Sequence, residues 1–248
     1  MKYRVPMIVF FWGLTLTEAF SQLVEPDSIF LQRAIFHTKE IYVNAMAGDA
    51  HLYNGVEYNE YNLQRLDVGH PYFLSGDWEE GTIEYDGQRY QPVDILYDLV
   101  RDLVVIEHAY SRFKIELISE KIKAFTIREH HFVRLVNKPA DKPIVASGFY
   151  EVRYNGQVKL YARRRKGAFD DVKLNRPVKL FLEDDQFFVY KNGQYFPVKT
   201  KASVLKALFD HKAELKKFLS KNNVRFRKNH ESALIQSVKF YDEVDKKP

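Results

Sequence analysis

The sequence predicts a mainly β protein. It should be a strongly curved antiparallel meander sheet or open barrel, with an N-terminal helix before it and a C-terminal helical hairpin after it. Three observations carry this. Aromatic residues make up 15% of the chain, with 16 Tyr and 19 Phe, a composition that suits strands. Asn-Gly or Asp-Gly pairs stand at 54–55, 86–87, 155–156 and 192–193, each with a tyrosine within a few residues. Such pairs favour two-residue hairpins, whose central residues need positive φ. Finally, the apolar runs between residues 93 and 136 are separated by only two to four residues, too few for a parallel crossover.

The first element is a targeting segment. Lys2 and Arg4 precede an apolar run over residues 6–17, and Ala19-Phe20-Ser21 supplies small residues where a signal peptidase reads. This is the layout of a secretory signal peptide over residues 1–21, the alternative being an uncleaved N-terminal anchor. Its apolar run is shorter than the roughly 20 residues that span a bilayer. The expected location is the periplasm or the outer-membrane periphery of a Gram-negative bacterium. The chain contains no cysteine. That excludes a lipoprotein anchor, disulfides, cysteine-type zinc sites and a cysteine nucleophile, so the core alone must hold the fold.

Residues 22–50 should hold the N-terminal helix. Asp27 follows Pro26 as an N-cap, Ile29, Phe30, Ala34, Ile41 and Met46 share part of one face, and Gly48 ends it. Residues 51–198 should form the β domain. It begins with an Asn54-Gly55 hairpin and continues through a second at Asp86-Gly87. Strands follow at 93–100, 103–108, 113–118, 122–127 and 131–136, each pairing with the next. The strands at 113–118 and 122–127 alternate apolar and mixed residues, as expected of one buried face. A third hairpin joins 148–154 to 158–163. Residues 163–177 break the pattern and are expected as a mobile charged excursion. Strands at 178–182 and 187–190 should pair across residues 183–186, and 195–198 should end the sheet.

Residues 199–248 turn helical. In 203–221, Val204, Leu205, Leu208, Leu215, Phe218 and Leu219 fall on one side and lysines on the other. Asn229 caps a final helix whose Leu234, Ile235, Val238 and Tyr241 face inward. The charge is concentrated here. The formal net charge is +5, yet residues 199–228 hold ten Lys or Arg against Asp210 and Glu214. Without the signal segment the remainder is about −4, which argues against a general nucleic-acid binder. Lys206, Lys212, Lys216, Lys217 and Lys221 are the candidate contacts to an anionic surface, either lipid headgroups or an acidic protein; the plainer alternative is a solvated face. Their interleaving with buried apolar residues is unlike a single-strand nucleic-acid platform.

Catalytic and metal-binding patterns are weak. None of the eight histidines falls into a ligand-pair spacing, and the adjacent His130 and His131 must face opposite ways on a strand. No metal and no cofactor is expected. Neither Ser75-Gly76 nor Ser147-Gly148 has the context of a nucleophile elbow. Asp98 and Asp102 at a strand end, with His70, are the candidate groups of a hydrolase; carboxylates at such positions also serve as turn formers. His70, Tyr72, Phe73 and Trp78 concentrate side chains that no turn requires. They form either a rim for a ligand or partner, or an aromatic lid over one end of the sheet.

The stretches LYNGVEYNEY, GHPYFLSGDWEEGTIEYDGQRY, VDILYDLVRD and KASVLKALFDHKAELKKFLSKNN together resemble a group of uncharacterised exported proteins of the Gram-negative bacterial envelope. The resemblance implies export and a β-rich fold and carries over no catalytic or binding residue. The expected function is a non-enzymatic envelope protein, a binding or assembly factor for a membrane surface or protein partner. The alternatives are a carrier of an apolar, lipid-like ligand in a curved-sheet pocket and an envelope hydrolase using the strand-end carboxylates. Whether the concave face of the sheet is filled or empty separates scaffold from carrier.

Overall fold

The computed structural model describes residues 51–64, 67–108, 111–137, 144–173 and 175–245. The signal peptide expected over 1–21 and the helix expected over 22–50 lie outside the described residues.

The fold is mainly β, as the composition predicts. The strands are β1 (Val56–Glu57), β2 (Glu79–Tyr85), β3 (Gln88–Asp98), β4 (Leu103–Glu107), β5 (Lys114–Glu116), β6 (Ile122–Ile127), β7 (His130–Leu135), β8 (Gly148–Asn155), β9 (Lys159–Arg163), β10 (Lys166–Lys173), β11 (Arg176–Glu183), β12 (Gln186–Lys191) and β13 (Gln194–Pro197). Eleven of them form one antiparallel sheet in the order β1-β5-β4-β3-β2-β6-β7-β8-β9-β12-β13, while β10 and β11 pair separately. Three helices follow: α1 (Lys201–Ala207), α2 (Lys212–Lys221) and α3 (His230–Asp245).

The strand order corrects the simple meander. β5 does not pair with β6; β6 pairs with β2, with Tyr85 opposite Ile122 and Ile83 opposite Phe125. The link between β5 and β6 contains a 3-10 turn at Ser119–Lys121. In a flat sheet β5 and β6 would stand four spacings apart, about 19 Å. A link of that length with a turn in it reaches only about 16 Å. The sheet must therefore roll over itself, and the backbone shows how. Register shifts interrupt β2 between Gly81 and Ile83 and between Glu84 and Tyr85, and such bulges bend a strand. Gly81 is required at the bend, because a Cβ there would lie 2.0 Å from the carbonyl oxygen of Thr126.

The roll encloses an aromatic core. Tyr97, Phe125, Phe132 and Phe149 are each at most 1% exposed. Phe125 stacks on Phe132 at 4.7 Å, and Tyr97 and Phe149 meet Phe125 edge-on at 5.2 Å. Around them pack Ile83, Tyr85, Ile95, Ile106, Leu117 and Ile122. The concave side of this half is filled by side chains. A second core on the same side of the sheet joins Leu160, Ala162, Phe187 and Val189 to Val204, Leu208, Leu215, Leu219, Leu234, Val238 and Tyr241 of the helices.

Turn chemistry is fulfilled at two of the four glycine pairs. Asp86-Gly87 and Asn192-Gly193 both take φ of +50° and +78° and join strands with direct register at Tyr85–Gln88 and Lys191–Gln194. Tyr190 faces Tyr195 with ring centroids 4.7 Å apart, the expected cross-strand pair. Asn54-Gly55 instead leads from a 3-10 turn at His51–Tyr53 into edge strand β1, which pairs with β5. Asn155-Gly156 opens a three-residue loop, with Asn155 opposite Lys159.

Two further expectations are corrected. The stretch 163–177 contributes to a regular ribbon, β10–β11, with unbroken register from Lys166–Glu183 to Lys173–Arg176, so the strand expected at 178–182 pairs with β10 outside the main sheet, and β12 pairs with β9 instead. Val178 and Phe181 anchor it at 2% and 6% exposure, whereas Phe169, Val172 and Leu182 are exposed. Because most of β10 is solvated on both faces, its sequence carries no alternation of polarity. The helix expected over 203–221 is broken. Thr200 and Ser203 form a capping box at the start of α1, but the chain bends at Leu208 (φ −108°, ψ 46°) into a 3-10 turn at Phe209–His211 before α2. The bend buries Leu208 completely and brings Asp210 to Lys191 and Tyr241.

Candidate functional site

The segment 70–78 does not form a common rim. Tyr72 and Phe73 are adjacent on extended chain and face opposite ways. Tyr72 is buried with Tyr58, Leu96 and Val105 on the convex side, where Trp78 also packs. Phe73 turns to the concave core and meets His130 at 5.0 Å and Phe132 at 5.1 Å, both edge-on. His70 stacks along Tyr72 at 6.3 Å; burial and the neighbouring Lys166 ammonium push its imidazole below the ordinary range. Lys166 donates to the backbone carbonyls of His70 and Tyr72 at 3.0 and 2.7 Å. The segment thus closes the sheet on both sides and is tied to β10.

The strand-end carboxylates are similarly separated. Asp98 is fully buried and accepts hydrogen bonds from the Tyr58 and Tyr61 hydroxyls at 2.9 and 3.0 Å and from the backbone N–H of Val100 and Arg101 at 2.9 and 3.0 Å. Asp102 accepts from Tyr97 at 2.7 Å and lies 3.5 Å from Arg163. Burial raises the Asp102 carboxyl above the ordinary range against the pull of Tyr97 and Arg163. The Tyr58 that holds Asp98 belongs to the convex cluster, whereas the Tyr97 that holds Asp102 belongs to the concave core. The two do not face a shared space, as an acid–base pair must.

Between the two concave cores runs a charged seam that the sequence reading did not identify. Phe132, Glu151, Ala162 and Phe187 are successive cross-strand partners, so Glu151 interrupts an otherwise apolar row. It is fully buried. Its oxygens meet His130 Nδ1 at 2.5 Å, Arg153 Nη1 at 2.5 Å and Arg164 Nε at 2.6 Å. Arg164 also reaches Asp185 at 2.5 Å and Glu231 of α3 at 2.8 Å, and Arg153 pairs with Glu231 as well. The inward spacing Phe149, Glu151, Arg153 was the available signal; the partners at 130, 164, 185 and 231 are too distant to read from it. Buried charge at this density is stable only when fully paired, and here the pairs join β7, β8, the β9–β10 link and α3.

The five lysines of the helical region, Lys206, Lys212, Lys216, Lys217 and Lys221, are all exposed, opposite buried Leu205, Leu215 and Leu219. Among the described residues none of the five forms an ion pair. Beside Lys217 and Lys221, a hollow of about 310 Å³ lies between α2 and α3. A larger cleft of about 540 Å³, lined by Asp184, Phe187, Phe188, Val198 and His230 among others, lies where β12 and β13 meet the start of α3. No group of His, Asp and Glu suited to a metal ion occurs among the described residues, and none of their helices is long and apolar enough to cross a membrane. Comparison of the chain with protein-family models, curated proteins and solved structures finds no match.

Proposed function

We propose that this chain is a non-enzymatic exported envelope protein, a binding or assembly factor that presents its outer surface to a membrane or protein partner. One observation carries this: the rolled sheet is filled by Tyr97, Phe125, Phe132 and Phe149. A carrier of an apolar ligand needs that concave space empty. The hydrolase reading draws no support from Asp98 and Asp102, each of which serves a different part of the fold. What remains for recognition lies outside that aromatic core, on the basic helical face, on the β10–β11 ribbon and in the cleft beside His230. Export to the periplasm or outer-membrane periphery rests on the signal segment over residues 1–21.

The test is photocrosslinking in the envelope of the native host, with the crosslinker placed at exposed Lys212 or Phe169. A discrete crosslinked product, absent when the probe replaces buried Leu160, is the expected result. Products no different from that buried control would refute the proposal.

A further inference from the structure

The hollow between α2 and α3 is lined by Glu214, Lys217, Phe218, Lys221, Asn222 and Phe240. Its aromatic pair, Phe218 and Phe240, stacks at 4.1 Å with an interplanar angle of 12°, and both rings are half-buried. Lys217 and Lys221 stand one helical turn apart, so their side chains project from the same face of α2. Leu215 and Leu219 are consumed by the core beneath; the stacked rings border it but are not fully covered. An apolar surface beside two solvated ammonium groups matches an amphiphile with an anionic head and an apolar tail.

We propose that this hollow seats the helical region on an anionic lipid surface, with the headgroup anion between Lys217 and Lys221 and the acyl region against Phe218 and Phe240. This deepens the envelope-factor reading and rests on it. The surrounding charge agrees. Residues 199–228 carry ten basic residues and two acidic ones, and Asp210 is already engaged by Lys191 and Tyr241. Lys206, Lys212 and Lys216 extend the cationic surface. At the bend before α2, Phe209 is 69% exposed and offers a further apolar contact of the kind that interfacial helices bury. A nucleic acid would be tracked by a row of stacking aromatics along a groove. The paired rings in one hollow fit an acyl chain better.

The test is flotation of the mature chain with phosphatidylcholine vesicles containing 30% phosphatidylglycerol and with pure phosphatidylcholine vesicles. Binding is expected to the anionic vesicles and to weaken with added salt. A cation beside an anionic leaflet contributes roughly fivefold in affinity, so Lys217→Gln with Lys221→Gln should weaken binding about 30-fold. Glu214→Gln should tighten it about fivefold on the anionic vesicles alone, whereas core residues exposed by misfolding would raise binding to both vesicle types. Equal binding to both vesicle types, or an unchanged affinity in both variants with native circular dichroism, would overturn the inference. If envelope crosslinks persist in that case, the partner is a protein and the broader proposal stands.

Discussion

Arg164 and Glu231 meet as a two-pronged pair: Nη1 and Nη2 of the arginine donate to the two carboxylate oxygens at 2.9 and 2.8 Å. Arg164 leaves the sheet just after β9, and Glu231 lies in the first turn of α3, so the pair couples sheet to helix. The same guanidinium serves the buried Glu151 and Asp185. Arg164→Leu strips three carboxylates of their common partner. Removing one side of a buried pair costs about 3–5 kcal/mol. The expected outcome is a lower urea midpoint with an unchanged slope and faster amide exchange in residues 230–245 than in β2 and β6. A variant as stable as the parent would show that the pairing is dispensable.

The acid side follows from Glu231. Burial alone would raise its carboxyl, but Arg164 and Arg153 outweigh burial and hold it below its ordinary 4.5. A depressed folded pKa contributes stability that is fully present above the unfolded value and lost as pH falls through the folded one. The stability gap between the parent and Glu231→Gln should therefore be constant above about pH 5 and narrow below 4.5. Urea titrations across that range measure it. A gap that persists undiminished into strong acid would locate the effect elsewhere.

The alkaline side rests on phenols. Burial pushes Tyr161 up to about 12, and burial with the Asp242 carboxylate does the same for Tyr154. Tyr58, Tyr61 and Tyr97 are pushed beyond the ordinary range by burial and by their carboxylate partners. A raised folded pKa stabilises fully below the unfolded value near 10 and is lost as pH rises through the folded one. Stability should decline above pH 10, and phenolate absorbance from these residues should rise cooperatively with unfolding. A gradual rise in the folded protein would contradict their burial.

How far the sequence speaks depends on how local each signal is. Asp86-Gly87 and Asn192-Gly193 read correctly because the turn's own φ requirement decides them. The link between β5 and β6 read as a hairpin because its length alone cannot distinguish a turn from a crossing beneath a rolled sheet. The β10–β11 ribbon was hidden by solvation on both faces. Residues 70–78 read as either a ligand rim or an aromatic lid, and neither reading showed that adjacent side chains on extended backbone divide between the two faces of the sheet. The lysines of α2 were legible from helical periodicity. The hollow beside them was not, because Phe240 comes from another helix.

Asn155-Gly156 shows the same non-locality and supplies a sharp test. Asp242, 85 residues beyond Gln157, accepts the backbone N–H of Gln157 at 2.9 Å, that of Val158 at 3.2 Å and the Tyr154 hydroxyl at 2.9 Å. The helix carboxylate thereby organises the loop that local sequence assigned to a two-residue turn. A Cβ on residue 156 would lie 2.4 Å from an Asp242 oxygen and 2.8 Å from the Tyr154 ring. Neither neighbour yields easily, because Asp242 is fully buried. Gly156→Ala should therefore destabilise by about 1–3 kcal/mol through overpacking. Asp242→Ala should cost at least as much, since each buried donor left unpaired costs about 1–3 kcal/mol. Combining the two should cost less than their sum, because alanine at 242 removes the atom that the added methyl meets. Strictly additive losses in urea unfolding would show that the glycine is required for a reason other than the Asp242 carboxylate.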